Sequence, residues 1–231
     1  MAAQVFDRRA NTLARLSILV GVPLVLIVLG VLWYLFGWSN WHRDVGVPVP
    51  QPVPFTHLTH AGALQLDCRF CHTAVEVSAS ANIPPTETCM GCHTQILTRD
   101  ARLAAVRDSW ANNVNIQWNR VHDLPEFVYF NHSIHVTKGV GCSTCHGDIR
   151  ATRVVAKVQP LFMSWCLDCH RNPAKYLRPR DQIYNTAWTP PPDQLQQGQR
   201  LIDEYGIRLY EMETGSGQRI NRLTGCYICH R

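Results

Sequence analysis

One apolar run dominates the hydrophobic pattern of the chain. From Leu16 to Trp38 the sequence LSILVGVPLVLIVLGVLWYLFGW holds 23 residues without a charge. A helix rising ~1.5 Å per residue spans roughly 34 Å over that length, enough for the hydrocarbon core of a bilayer with some tilt. Gly21 and Pro23 near its start suit a membrane helix, which accepts both better than a soluble one. Trp33, Tyr34, Trp38 and Trp41 gather at one end, as an interfacial aromatic belt would. Arg8, Arg9 and Arg15 precede the run, whereas Arg43 behind it is balanced by Asp44. The positive-inside bias then puts residues 1–15 in the cytoplasm and everything after residue 40 outside. A cleaved signal peptide also starts with an apolar run. This run is too long for a usual h-region, and bulky WSNWHRD follows it where small residues would be needed. The pattern predicts an uncleaved transmembrane helix at 16–38.

Beyond it the pattern breaks up. Residues 39–54 form a linker in which Pro48, Pro50, Pro52 and Pro54 alternate, favouring an extended polyproline II spacer. Only Asp193–Glu211 shows sustained helical periodicity. The remainder predicts short helices, long loops and little sheet. Composition narrows the class. Fourteen glycines and fourteen prolines in 231 residues are too few for a collagen-like or disordered chain. The net charge of +5 is spread without a Lys/Arg block, which argues against a nucleic-acid partner. Ten cysteines are unusual at this length and point to a metal, a cofactor or disulfides.

All ten fall into one motif. Cys68-Arg-Phe-Cys71-His72, Cys89-Met-Gly-Cys92-His93, Cys142-Ser-Thr-Cys145-His146, Cys166-Leu-Asp-Cys169-His170 and Cys226-Tyr-Ile-Cys229-His230 are five C-x-x-C-H units. That is the spacing of c-type haem attachment, in which two thioethers hold the porphyrin and the following histidine ligates iron from the proximal side. Zinc pairs and disulfides use C-x-x-C as well, but neither needs a histidine after every second cysteine. A thioredoxin-like redox motif would occur once, on a βαβ unit. The motifs predict five covalently bound haem c groups, with proximal ligands His72, His93, His146, His170 and His230. So many porphyrins in so short a domain would themselves be its core, and without them it should not fold.

A repeat surrounds the first four motifs. Phe55-Thr-His57-Leu-Thr-His60 precedes Cys68, Phe130-Asn-His132-Ser-Ile-His135 precedes Cys142, and a second motif follows each. The expected organisation is a first di-haem repeat at 55–99, a connector at 100–129 and a second di-haem repeat at 130–178. A C-terminal segment at 179–231 carries the fifth motif. Histidines three apart share a helix face, so each pair can serve two neighbouring haems. His57, His60, His132 and His135 are therefore the expected distal ligands, with His122 as the fifth. If His122 is not a ligand, a methionine must serve, and Met163 and Met212 are the alternatives beside Met90. His42 reads as an interfacial residue. With both axial positions of every iron filled, the domain would move electrons and perform no bond chemistry, so no catalytic residue is assigned.

The pattern F-x-H-x-x-H before C-x-x-C-H resembles the class III multihaem cytochromes of the c3 and c7 type. By that resemblance His57 would serve the haem of His72, His132 that of His146, and His60 and His135 would cross to other haems. With the anchor, the five motifs and the stretches RVHDLPEFVYFNHSIHVTKGVGCSTCHG and MSWCLDCHR, the chain looks more specifically like the pentahaem subunits of alternative complex III, a bacterial quinol-oxidising respiratory assembly. The resemblance implies a mainly α, haem-packed multihaem cytochrome c domain with little regular structure. It would be held outside the bacterial cytoplasmic membrane by one N-terminal helix, on the periplasmic side. It further implies a polytopic quinol-binding partner subunit, other membrane and peripheral subunits, and a downstream cytochrome c or oxidase. Two other readings stay open: an anchored multihaem quinol dehydrogenase serving periplasmic nitrate or nitrite reductases, and a catalytic multihaem reductase.

Overall fold

The computed structural model describes residue 7, residues 9–212 and residues 219–230. Residues 1–6 and Arg8 of the expected cytoplasmic N-terminus lie outside the described residues, as do the side chains of Trp41 and Met212. The chain divides into two units, Met1–Val45 and Gly46–Arg231.

The first unit is dominated by one continuous helix, Ala10–Gly37, 28 residues long and apolar enough to cross a bilayer, followed by a 3-10 turn at Asn40–Arg43. It begins as α1 (Ala10–Leu16), passes through a π-helical stretch at Ser17–Gly21 and continues as α2 (Val22–Gly37). The π stretch lies immediately before Pro23, which has no amide hydrogen and clashes with the carbonyl of residue 19; widening the turn relieves both. Its leucines, isoleucines and valines point outward and uncovered, so water is a poor solvent for this element. Trp33 and Trp38 pack edge to face at 5.8 Å and Phe36 meets His42 at 6.2 Å, forming an aromatic cluster at the C-terminal end.

The second unit is built of short helices joined by long loops. In chain order they are α3 (Cys68–Cys71), α4 (Thr86–His93), α5 (Ala104–Asn112), α6 (His132–Thr137), α7 (Ser143–His146), α8 (Met163–Arg171), α9 (Gln194–Glu204) and α10 (Cys226–Cys229). The described sheet is one hairpin in which β1 (Tyr210–Met212) pairs antiparallel with β2 (Arg219–Asn221), Glu211 opposite Ile220. A mainly helical chain with little sheet is what the sequence leads one to expect.

Local chemistry sets the helix ends. Asp67 accepts from the Arg69 amide at 2.8 Å and starts α3, and Asn131 accepts from the Ile134 amide at 3.3 Å and starts α6. Asn113 takes the left-handed conformation that closes α5. The proline-rich stretch does not stand free. Pro48 bridges Ala156, the Gly46 amide donates to Lys157 O at 2.7 Å, Asn119 donates to Pro50 O at 2.7 Å, and Val53 is buried.

The polypeptide core is thin and split in three. Leu177, Leu201, Ile202 and Tyr205 pack α9 onto residues 173–177; Val53, Met90 and Val106 join α4 to α5; Val75, Val136 and Ile183 join the two repeats. Met90 is thus a packing residue. Gly198 lets α9 approach closely, because a β-carbon there would lie 1.9 Å from the Ala174 carbonyl oxygen. The α9 helix is shorter than its periodic segment, since the chain leaves it at Tyr205 for the β1 hairpin.

Candidate haem-binding site

Each C-x-x-C pair occupies a single helical turn or the end of one, which puts its two thiols on one face with the histidine at or just beyond the terminus. All ten thiols are unpaired, and no three His, Cys, Asp or Glu side chains converge among the described residues. Burial pushes Cys142 and Cys169 up to about 11 and Cys145 up to about 12. A redox-active dithiol depends on the opposite shift, so these are neutral thiols.

The histidines are oriented one by one. In the motifs, Nδ1 of His72 meets Asn82 O at 2.6 Å, His93 meets Ile96 O at 3.1 Å, His170 meets Leu223 O at 2.7 Å and His230 meets Phe127 O at 3.0 Å. Outside them, Nδ1 of His60 meets Thr56 O at 3.0 Å, His132 meets Ala79 O at 2.8 Å and His135 meets Asn131 O at 2.7 Å. A carbonyl accepts only from N–H, so the proton of each sits on Nδ1 and Nε2 keeps its lone pair for a metal.

Two imidazoles on opposite sides of one metal, with a metal–nitrogen bond of about 2.0 Å and ring centres about 1.1 Å behind the nitrogens, have centroids about 6.2 Å apart. His60 and His93 are 6.2 Å apart, His132 and His146 6.4 Å with planes 12° apart, and His135 and His170 6.1 Å. The repeat sets up these pairs. Phe55 stacks on His60 at 4.5 Å and stands perpendicular to His57 at 4.9 Å; Phe130 treats His135 and His132 alike at 4.4 and 4.8 Å. The first repeat reaches this arrangement through a π-helical turn, Leu58–Ala63, rather than an α-helix. There the backbone presses on Ile149–Ala151, where a β-carbon on Gly62 would lie 2.5 Å from Arg150 O.

His57 is held at about pKa 4 by burial and by its neighbours His72 and His60, and its Nδ1 is buried without a hydrogen-bond partner. His146 is held at about 3 by burial, with His122 and His132 adding to the shift. His122 does not stand as an axial partner of His146: its ring is 4.3 Å away at 73°, too close for an iron between them, and its Nε2 is buried without a partner. Among the described residues no second imidazole stands at axial separation from His230.

Large apolar side chains remain uncovered beside the motifs, including Phe70 (53% exposed), Met163 (59%), Tyr227 (60%) and Phe127 (63%). Apolar groups gathered in this way beside the motifs suit contact with something apolar. Neutral thiols in pairs, imidazoles with Nε2 free at axial spacing and uncovered apolar walls together fit covalently attached haem. Sequence reasoning missed the two phenylalanines as ring clamps, although their repetition signals them. It also missed Arg178, which carries no motif at all. Arg178 is 4% exposed and lies beside the third motif, donating to Ser143 Oγ at 2.8 Å, Thr144 Oγ1 at 3.2 Å and Asn185 O at 3.1 Å while stacking on Trp188 at 4.4 Å.

No protein-family model matches the chain. It is similar to the multiheme cytochrome c subunit of menaquinone reductase from Nitratidesulfovibrio vulgaris, with 28% identity over 113 residues. The match covers 48% of this chain and 53% of that protein, so the chain spans about half the length of the curated relative it matches.

Proposed function

We propose that this chain is a membrane-anchored multihaem c-type cytochrome that passes single electrons within a quinol-linked respiratory complex. Haem c supplies reversible one-electron iron chemistry. The chain's residues hold it: the ten cysteines by thioethers, His72, His93, His146, His170 and His230 from the proximal side. His57, His60, His132 and His135 are the distal ligands, paired with the motifs of His72, His93, His146 and His170. With two histidines on each of the first four motifs, those sites would be closed to substrate and suited to electron transfer alone. Met163 or Met212 would complete the motif of His230 if His122 stays against His146.

The observation that carries this reading is the set of three histidine pairs at 6.1–6.4 Å, each joining a motif to the preceding F-x-H-x-x-H segment. Likeness to a menaquinone reductase subunit supports the link to quinol, and the motif resemblance supports the finer assignment to an assembly of the alternative complex III kind. The helix Ala10–Gly37 is the anchor. It is too little to house a quinone pocket, so quinol chemistry belongs to a polytopic partner. Near-infrared magnetic circular dichroism of the oxidised full-length protein tests this. Four or more bis-histidine irons are expected; a high-spin ferric haem that binds cyanide would overturn it in favour of a catalytic reductase.

A further inference from the structure

We infer that the five attachment motifs stand in single file in the order second, first, third, fourth, fifth, which leaves the second and fifth at the ends. The inference rests on the haem reading above, and it departs from the order along the chain.

Each link in the file has its own contact. The second motif joins the first because His60, the partner of His93 at 6.2 Å, belongs to the segment leading into Cys68. The first joins the third through the loop after His72: the His132 amide and its Nδ1 both reach Ala79 O, and the Ser133 amide reaches Ser78 O. Val75 and Val136 seal that junction together with Ile183, whose carbonyl accepts from the Cys142 amide. The third joins the fourth because His135, the partner of His170 at 6.1 Å, lies beside His132, the partner of His146. The fourth joins the fifth through His170 Nδ1 and Leu223 O at 2.7 Å, three residues before Cys226. The other anchors of the fifth motif, Phe127 O to His230 and the Tyr129 amide to Cys229 O, belong to the connector and to no motif.

Exposure agrees independently. Cys92 in the second motif and Cys226 in the fifth are the exposed cysteines, and the other eight are partly covered. The ends of the file are therefore where outside partners can approach. Each transfer oxidises one iron(II) and reduces the next iron(III) by one electron, with no bond made or broken. The electron comes from a quinol-oxidising partner at one end and goes to a ferric c-type haem of a downstream protein at the other.

Iron positions in a cryo-electron microscopy map of the detergent-solubilised full-length protein test the order. Five irons with the second and fifth farthest apart are expected. Five irons in another order overturn the inference alone, whereas fewer than five per chain overturn the haem reading beneath it. The ends are tested separately with a photoactive ruthenium label on Gln95→Cys or Ile220→Cys, both at exposed positions. In holoprotein the introduced thiol is the one left unbound. His60→Met marks the second motif with a sulfur–iron band. Electrons injected at position 95 should bleach that band at once, and those injected at 220 only after a delay. Equal arrival from both labels overturns the placement of the ends, and absence of the band overturns the pairing of His60 with His93.

Discussion

Replacing Arg178 tests whether a buried cation serves the third motif. Its guanidinium sits among two hydroxyls, a carbonyl and an indole, with no carboxylate among those partners, and Nε has no hydrogen-bond partner at all. In Arg178→Met the stem volume is kept while Asn185 O, Ser143 Oγ and Thr144 Oγ1 lose their donor. At about 1 kcal/mol for each stranded acceptor the loss is roughly 3 kcal/mol. For a chain of this size that lowers Tm by about 6–12 °C. The charge has a second effect. A cation beside a haem disfavours the ferric state, so its removal should move one component of the redox titration to lower potential and leave the others in place. Arg178→Lys separates the two effects: a compact ammonium keeps the charge but cannot form the fork or the stack. The lysine variant should recover most of the potential and little of the Tm. Thermal unfolding followed at the Soret band and spectroelectrochemical titration give both readouts. A methionine variant with unchanged Tm and an unchanged titration curve would refute the reasoning.

Further outcomes follow from the same geometry. Gly198→Ala gains about 1 kcal/mol of helix propensity but drives a β-carbon into the Ala174 carbonyl. The net loss of about 2 kcal/mol should lower Tm by about 4–8 °C. As iron ligands His57 and His146 must stay unprotonated in the fold, whereas the unfolded chain protonates them below about 6.5, so the unfolded chain binds more protons as the pH falls. Stability should be complete above pH ~6.5 and fall as the pH drops below it, which acid titration by far-ultraviolet circular dichroism will show. His135→Met should convert one bis-histidine iron, that of the fourth motif, to histidine–methionine coordination and raise its potential, read by magnetic circular dichroism and redox titration.

The long apolar helix, the five motifs and the duplicated histidine pairs were legible in the sequence because each is a local pattern: an uninterrupted apolar run, a fixed spacing, a repeat. The pairing of histidines across the fold was not. That His60 meets His93 depends on a π-helical turn pressed against Arg150, which no local pattern encodes. The place of His122 depends on a loop with no periodicity, which sets its ring 4.3 Å from that of His146. The proline-rich stretch read as a spacer because alternating prolines favour extension. Extended backbone also bridges to Val155–Lys157, and burial of Val53 fixes it there. Arg178 illustrates the remaining gap: a lone arginine in a loop announces nothing until tertiary structure surrounds it.

A pyridine haemochrome assay on purified full-length protein, calibrated by amino-acid analysis and paired with thiol alkylation after denaturation, addresses the central claim most directly. Five haems per chain with no alkylatable cysteine is the predicted result. Alkylation of most thiols, or a haem content well below five, would contradict it.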